Sequence, residues 1–124
     1  MEAISIDRAL ETVMGSPTST REYLADSGWL QDIDLDDVEA IEADFEARYD
    51  GALSRARELL GKPAYDDRSA RATVDEWYPE AIRFTAWFHR DGFVFLALEH
   101  HDRETPIGLL VGSITQREIE RLLA

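Results

Sequence analysis

The sequence predicts an α+β fold: N-terminal helices including one long helix, a three-stranded antiparallel meander, and a C-terminal helix. Three observations carry this. Two runs rich in aromatic and branched residues, IRFTAWFHR and FVFLALEHH, flank Asp91-Gly92, a dipeptide suited to the positive φ of a type I′ turn. A third apolar run, IGLLVGSI, follows the turn sequence DRETP. Between Asp34 as cap and Gly61 as stop, apolar residues recur at helical spacing from Leu35 to Leu60.

In chain order, Ser5 can cap a first helix from Ile6 to about Met14, with Gly15 as its stop and Ile6, Leu10 and Val13 or Met14 at helical spacing. Pro17 and the Ser19-x-x-Glu22 spacing predict a second helix through Tyr23 and Leu24, closed by Gly28. Trp29 and Leu30 then read as an apolar anchor beneath the long helix. On that helix Leu35, Val38, Ile41, Phe45, Tyr49, Ala52, Ala56, Leu59 and Leu60 gather on one side. Pro63 and Asp66-Asp67 mark a loop. Residues 74–78, VDEWY, fit either a helical turn or a short edge strand. After the meander, Thr115-x-x-Glu118 is a capping box for a terminal helix whose Ile119, Leu122 and Leu123 can dock on the sheet. The expected organisation is one domain over 1–124: helices to 61, a loop over 62–81, the meander over 82–114 and the last helix over 115–124.

With Asp91 and Gly92 as the loop, the hairpin register sets Arg90 opposite Phe93, Phe88 opposite Phe95, Ala86 opposite Ala97 and Phe84 opposite Glu99. The other face then holds His89, Trp87, Thr85 and Arg83 against Val94, Leu96, Leu98 and His100. Both faces are apolar at their centres, so the sheet has to be covered twice, by the chain's own helices or by a partner. Gly108 and Gly112 within the third strand mark a bend or a close approach of other atoms.

Length and composition bound the function. A chain of 124 residues can bury a core without staples, and the absence of cysteine removes disulfides, thiolate metal sites and cysteine nucleophiles. No basic-then-apolar leader or membrane-length apolar run is visible, so a cytoplasmic, soluble chain is expected. Fourteen of the 26 acidic residues but only three of the 13 basic ones fall in positions 1–50, leaving that segment at −11 and the remainder at −2 of the net −13. This asymmetry argues against nucleic acid or an anionic membrane as partner, and for solubility or a basic protein partner.

The charge has a focus. Asp36, Glu39, Glu46 and Asp50 share one flank of the long helix, with Asp37 and Asp44 further round and Arg57 as the interruption near the end. A solvated face favoured by the helix dipole accounts for acids in the first turn but poorly for Glu46 and Asp50. A partner-facing stripe accounts for all four.

Catalytic and metal chemistry find little support. Asp32-x-Asp34-x-Asp36 begins like a calcium loop, but Asp37 stands where glycine is needed and Ala43 where the bidentate glutamate belongs. His89 and His100 lie near opposite ends of the hairpin, and Glu99, His101 and Asp102 give too few ligands. No phosphate loop or nucleophile elbow occurs. The aromatic set of Trp77, Tyr78, Phe84, Trp87, Phe88, Phe93 and Phe95 lacks the basic groove that nucleic acid requires and reads as core. No catalytic residue, metal ligand or cofactor is therefore assigned.

The stretch AWFHRDGFVFLALEHHDRETPIGLLVG resembles the C-terminal halves of short bacterial immunity-type proteins of polymorphic toxin systems, through Trp87, Gly92, Leu96, Leu98, His100, Asp102, Arg103, Glu104 and Pro106. His101 stands where those proteins carry an acidic residue, and Thr105 where they carry an apolar one. The resemblance implies a small antidote that binds a toxin made by the same cell. A nucleic-acid-degrading toxin is basic where it meets its substrate, which an acidic antidote complements. The expectation is thus a non-enzymatic binding protein using Asp36, Glu39, Glu46 and Asp50. The alternatives are an adaptor using the sheet face near Trp87 and Leu96, or a small ligand-binding or enzymatic module on Glu99, His100, His101 and Asp102. The last would have to present a pocket with converging polar groups.

Overall fold

The computed structural model describes residues 5–66, 78–102 and 104–123. In chain order the elements are α1 (Ile6–Gly15), β1 (Thr20–Asp26), α2 (Leu35–Leu60), β2 (Ala81–His89), β3 (Gly92–Glu99), β4 (Gly108–Ile114) and α3 (Gln116–Leu123). The strands form one antiparallel sheet in the order β1-β4-β3-β2. The fold is therefore α+β with one long helix, and its sheet has four strands where the sequence predicts three.

The extra strand is the segment expected as a second helix. Ser19 does not cap a helix; its Oγ accepts the Thr115 amide at 3.1 Å. Thr20 to Asp26 pair with Ser113 to Gly108, with a bulge between Tyr23 and Ala25. The reason is the state of β4, which is buried along its whole length. A buried strand needs hydrogen-bonded neighbours on both sides, and each orphaned backbone group costs about 1–3 kcal/mol. A capping box worth about 1 kcal/mol cannot outweigh a row of them.

The helices α1 and α2 follow the expected boundaries. Ser5 Oγ accepts the Arg8 amide at 3.3 Å, and α1 buries Ala9, Leu10 and Val13. Arg55 of α2 grips Asp7 of α1 with contacts of 2.6 and 2.9 Å. The helix α2 buries Val38, Phe45, Tyr49 and Ala56, and packs Ile41, Ala52 and Leu60 against the core. Leu35 and Leu59, expected on that side, are exposed. Gly61 ends the helix at φ 83°, a left-handed backbone that glycine adopts freely.

The hairpin departs from the expected register by two positions, because its loop sits one residue earlier in the chain. Phe88 faces Phe93, Trp87 faces Val94 and His89 faces Gly92, so the loop is Arg90-Asp91. A shift of this kind keeps every residue on its face while changing its opposite neighbour. Only Arg90 takes positive φ, 55°, so the turn is not type I′. Gly92 serves another purpose: a Cβ there would lie 2.0 Å from the Ile114 carbonyl oxygen. The glycines of β4 likewise mark close approaches, Gly112 beneath the Phe95 ring and Gly108 beneath Tyr23 and Glu99.

Both sheet faces are buried at their centres. On one, Trp87, Val94, Leu96, Leu98, Leu109 and Val111 join α1 and α2 in a single cluster. On the other, Phe84, Phe95, Ala97, Leu110 and Ile114 cluster with Tyr78. The chain leaving α2 runs beside β2, where Tyr65 and Ala86 exchange backbone hydrogen bonds of 2.9 and 3.1 Å. The choice between turn and strand over 74–78 falls outside the described residues except for Tyr78, as does the docking of Ile119, Leu122 and Leu123. Thr115 Oγ1 accepts the Glu118 amide at 3.2 Å, which is half of the expected capping box; the Thr115 amide goes to Ser19 instead, and the Glu118 carboxylate accepts from Arg121. Among the described residues no helix is long and apolar enough to cross a membrane.

Candidate functional site

The acidic flank of α2 divides into two halves. Glu46 and Asp50 sit one turn apart and face β2, where they meet Arg83 at 2.7 and 3.5 Å. The Arg83 guanidinium also lies over the Tyr49 ring, 4.4 Å from its centroid. Tyr49 Oη in turn shares a buried 2.8 Å hydrogen bond with Thr85 Oγ1. Two of the four expected partner-facing charges thus clamp α2 to the sheet. Further round, Asp44 pairs with Arg48 at 2.9 Å.

The N-terminal half is different. Among the described residues, Asp32, Asp34, Asp36, Asp37, Glu39 and Glu42 are exposed and make no ion pair. Between this half of α2 and the end of the sheet runs a groove of about 310 Å³. Glu39, Glu42 and Glu46 form its acidic side, and Ile82, Leu98 and Ile107 its apolar lining. Ile82, at the bulge where β2 leaves its regular pairing with β3, is exposed. His100 also lines the groove, and its Nε2 is buried without a hydrogen-bond partner among the described residues.

The Glu99 to Asp102 turn does not act as one group. Glu99 and His101 line a cleft of about 530 Å³ on the other side of the sheet end, with Arg21, Tyr23, Tyr78 and Glu80. Tyr23 and Tyr78 each donate a hydroxyl to one Glu99 oxygen. Arg21 lies over the Tyr78 ring at 4.4 Å and within 4.0 Å of Glu99. Burial first, then the bond to Glu99, pushes the Tyr23 hydroxyl up to about 12, and the same causes raise Tyr78. Both tyrosines remain protonated donors near neutral pH, so neither supplies a nucleophile or a base.

His100 belongs to the α2 groove rather than to this cleft. Asp102 is spent on its own turn: its Oδ1 accepts the Glu104 amide at 2.9 Å and the Thr105 amide at 3.2 Å. Those amides, Glu104 first, hold its carboxyl below the usual carboxylate range. Among the described residues no histidine and acidic side chains are grouped to hold a metal ion.

Trp87 lies only 4 % exposed, and its indole donates to the Gly61 carbonyl at 2.9 Å. Leu96 is fully buried in the same cluster. The sheet face expected as an adaptor surface is therefore occupied by α1 and α2. Arg21, Tyr23 and Tyr78 escaped the sequence reading because they come from separate segments, with Gly108 as the one local sign of tight packing around them. No family model, curated protein or solved structure matches this chain.

Proposed function

We propose that the chain is a non-enzymatic binding protein for a basic protein partner, in the manner of an immunity protein that neutralises a toxin. The supporting observation is the groove beside α2. Its apolar lining of Ile82, Leu98 and Ile107 suits the methylene stem of a lysine or arginine, and the uncompensated Glu39 and Glu42 suit the cationic head. Glu46 adds to this edge while remaining tied to Arg83. The unpaired carboxylates along the N-terminal half of α2 would steer such a partner and select against anionic ones.

The experiment is affinity capture from lysate of the source cells at low and moderate salt, with identification by mass spectrometry. One stoichiometric basic protein, lost as salt rises, is the expected result. Retention of nothing at either salt, or of an acidic protein insensitive to salt, would defeat the reading.

A second reading rests on the Glu99 cleft, which has the converging polar groups of a small-ligand site. Its strongest donors are already satisfied by Glu99 itself, which favours a role in holding β1, β3 and Tyr78 together. Replacement of His101 separates the two readings, because a ligand site loses binding on His101→Ala and the α2 groove does not.

A further inference from the structure

The connection entering α2 carries an apolar surface that the fold leaves open. Trp29 is 65 %, Leu35 51 % and Ile33 37 % exposed. Single exposed apolar side chains are ordinary, but these three fall within seven consecutive positions. Ile33 and Leu35 border a depression of about 220 Å³ that is also lined by buried Leu30 and Val38, with Gln31 and Glu104 at its rim. The loop is held in place: the Leu30 amide donates to the Glu104 carbonyl at 2.8 Å, and the Ile33 amide to the Leu30 carbonyl at 3.2 Å. Asp32, Asp34, Asp36 and Asp37 interleave with Ile33 and Leu35 along the chain, and none of them has an ion pair among the described residues.

An apolar depression with unpaired carboxylates interleaved along the segment that forms it, and an exposed tryptophan one residue before its lining residue Leu30, has the composition of an interface hot spot. We infer that this depression is the apolar anchor point for the basic partner, and that it receives an apolar side chain flanked by lysine or arginine. The inference rests on the basic-partner reading and adds a second contact to the α2 groove. Charge selects the occupant. A second copy of this chain would bring the same row of carboxylates against itself, and an anionic lipid surface or nucleic acid would be repelled in the same way.

Two synthetic peptides test it, an alternating lysine-serine peptide and its lysine-leucine counterpart of equal length and charge. Binding is followed at moderate salt by amide shifts and by the Trp29 indole resonance, assigned with Trp29→Phe. The leucine peptide should bind at least about tenfold more tightly and shift Trp29, Ile33 and Leu35. That advantage should vanish in Ile33→Ser/Leu35→Ser, and independently in Trp29→Ser, while the serine peptide binds each variant as it binds the parent. Circular dichroism verifies that the exposed-site variants remain folded. Equal affinity of the two peptides for the parent chain, or a leucine advantage that survives both variants, overturns the anchor and leaves the acidic-surface reading standing. Binding of neither peptide overturns both.

Discussion

Arg83 of β2 bridges Glu46 and the Tyr49 ring of α2, at 2.7 Å from the carboxylate and 4.4 Å from the ring centroid. A cation set between a carboxylate and an aromatic face ties the long helix to the outer strand of the hairpin. Half of the acidic flank is thereby a structural device, and Asp36 and Glu39 of the other half make no ion pair among the described residues.

Arg83→Met keeps the aliphatic stem and removes the charge. Glu46 is partly solvated, so the ion pair contributes less than about 1 kcal/mol, and the cation–π contact adds about 0.5–1 kcal/mol. A loss of about 1–2 kcal/mol in urea denaturation is expected, with a double-mutant cycle against Glu46→Gln assigning the paired part.

The tyrosine pair on Glu99 predicts an alkaline weakness. Tyrosine ionises near 10 in the unfolded chain, whereas Tyr23 is pushed up to about 12 and Tyr78 is also raised. A raised folded value means that the stabilisation is complete below pH 10 and is lost as pH rises beyond it. Denaturation midpoints should therefore fall between about pH 10 and 12, and less steeply in Tyr78→Phe. At neutral pH that variant should lose about 1–3 kcal/mol, since Glu99 is left with one tyrosine donor.

Two glycines should respond with opposite signs. A Cβ at Gly92 would meet the Ile114 carbonyl oxygen at 2.0 Å, so Gly92→Ala has to displace backbone and should cost more than about 3 kcal/mol. Gly51 lies inside α2 with nothing near the position of a Cβ, so Gly51→Ala should add about 0.5–1 kcal/mol through helix propensity. Thermal or urea unfolding of both variants provides the comparison.

What could be read from the sequence was local. Ser5 and Gly61 mark helix ends through a side-chain cap and a backbone preference, Asp34 stands at the start of α2 without a side-chain cap bond, and the period-2 pattern around Trp87 and Leu96 places residues on faces even when the register moves by two. The strand β1 could not be read this way. Its Ser19-x-x-Glu22 spacing is a genuine helix signal, overruled by the ladder that β4 requires from a segment far away in sequence. The site followed the same division. Carboxylate periodicity on α2 was visible, but which carboxylates are neutralised depends on Arg83, which is distant along the chain. Trp29 was visible as an anchor, and the structure leaves it largely exposed instead of placing it under α2.

One paired comparison tests whether the two halves of the α2 flank do different work. Glu39→Lys/Glu42→Lys and Arg83→Met are each measured for thermal stability and for capture of the basic partner at low salt, well below either unfolding midpoint. The lysine variant should unfold like the parent and capture nothing, whereas Arg83→Met should unfold earlier and capture the partner as well as the parent does, as a division of the flank requires. Undiminished capture by Glu39→Lys/Glu42→Lys, with loss of capture in Arg83→Met, would contradict it.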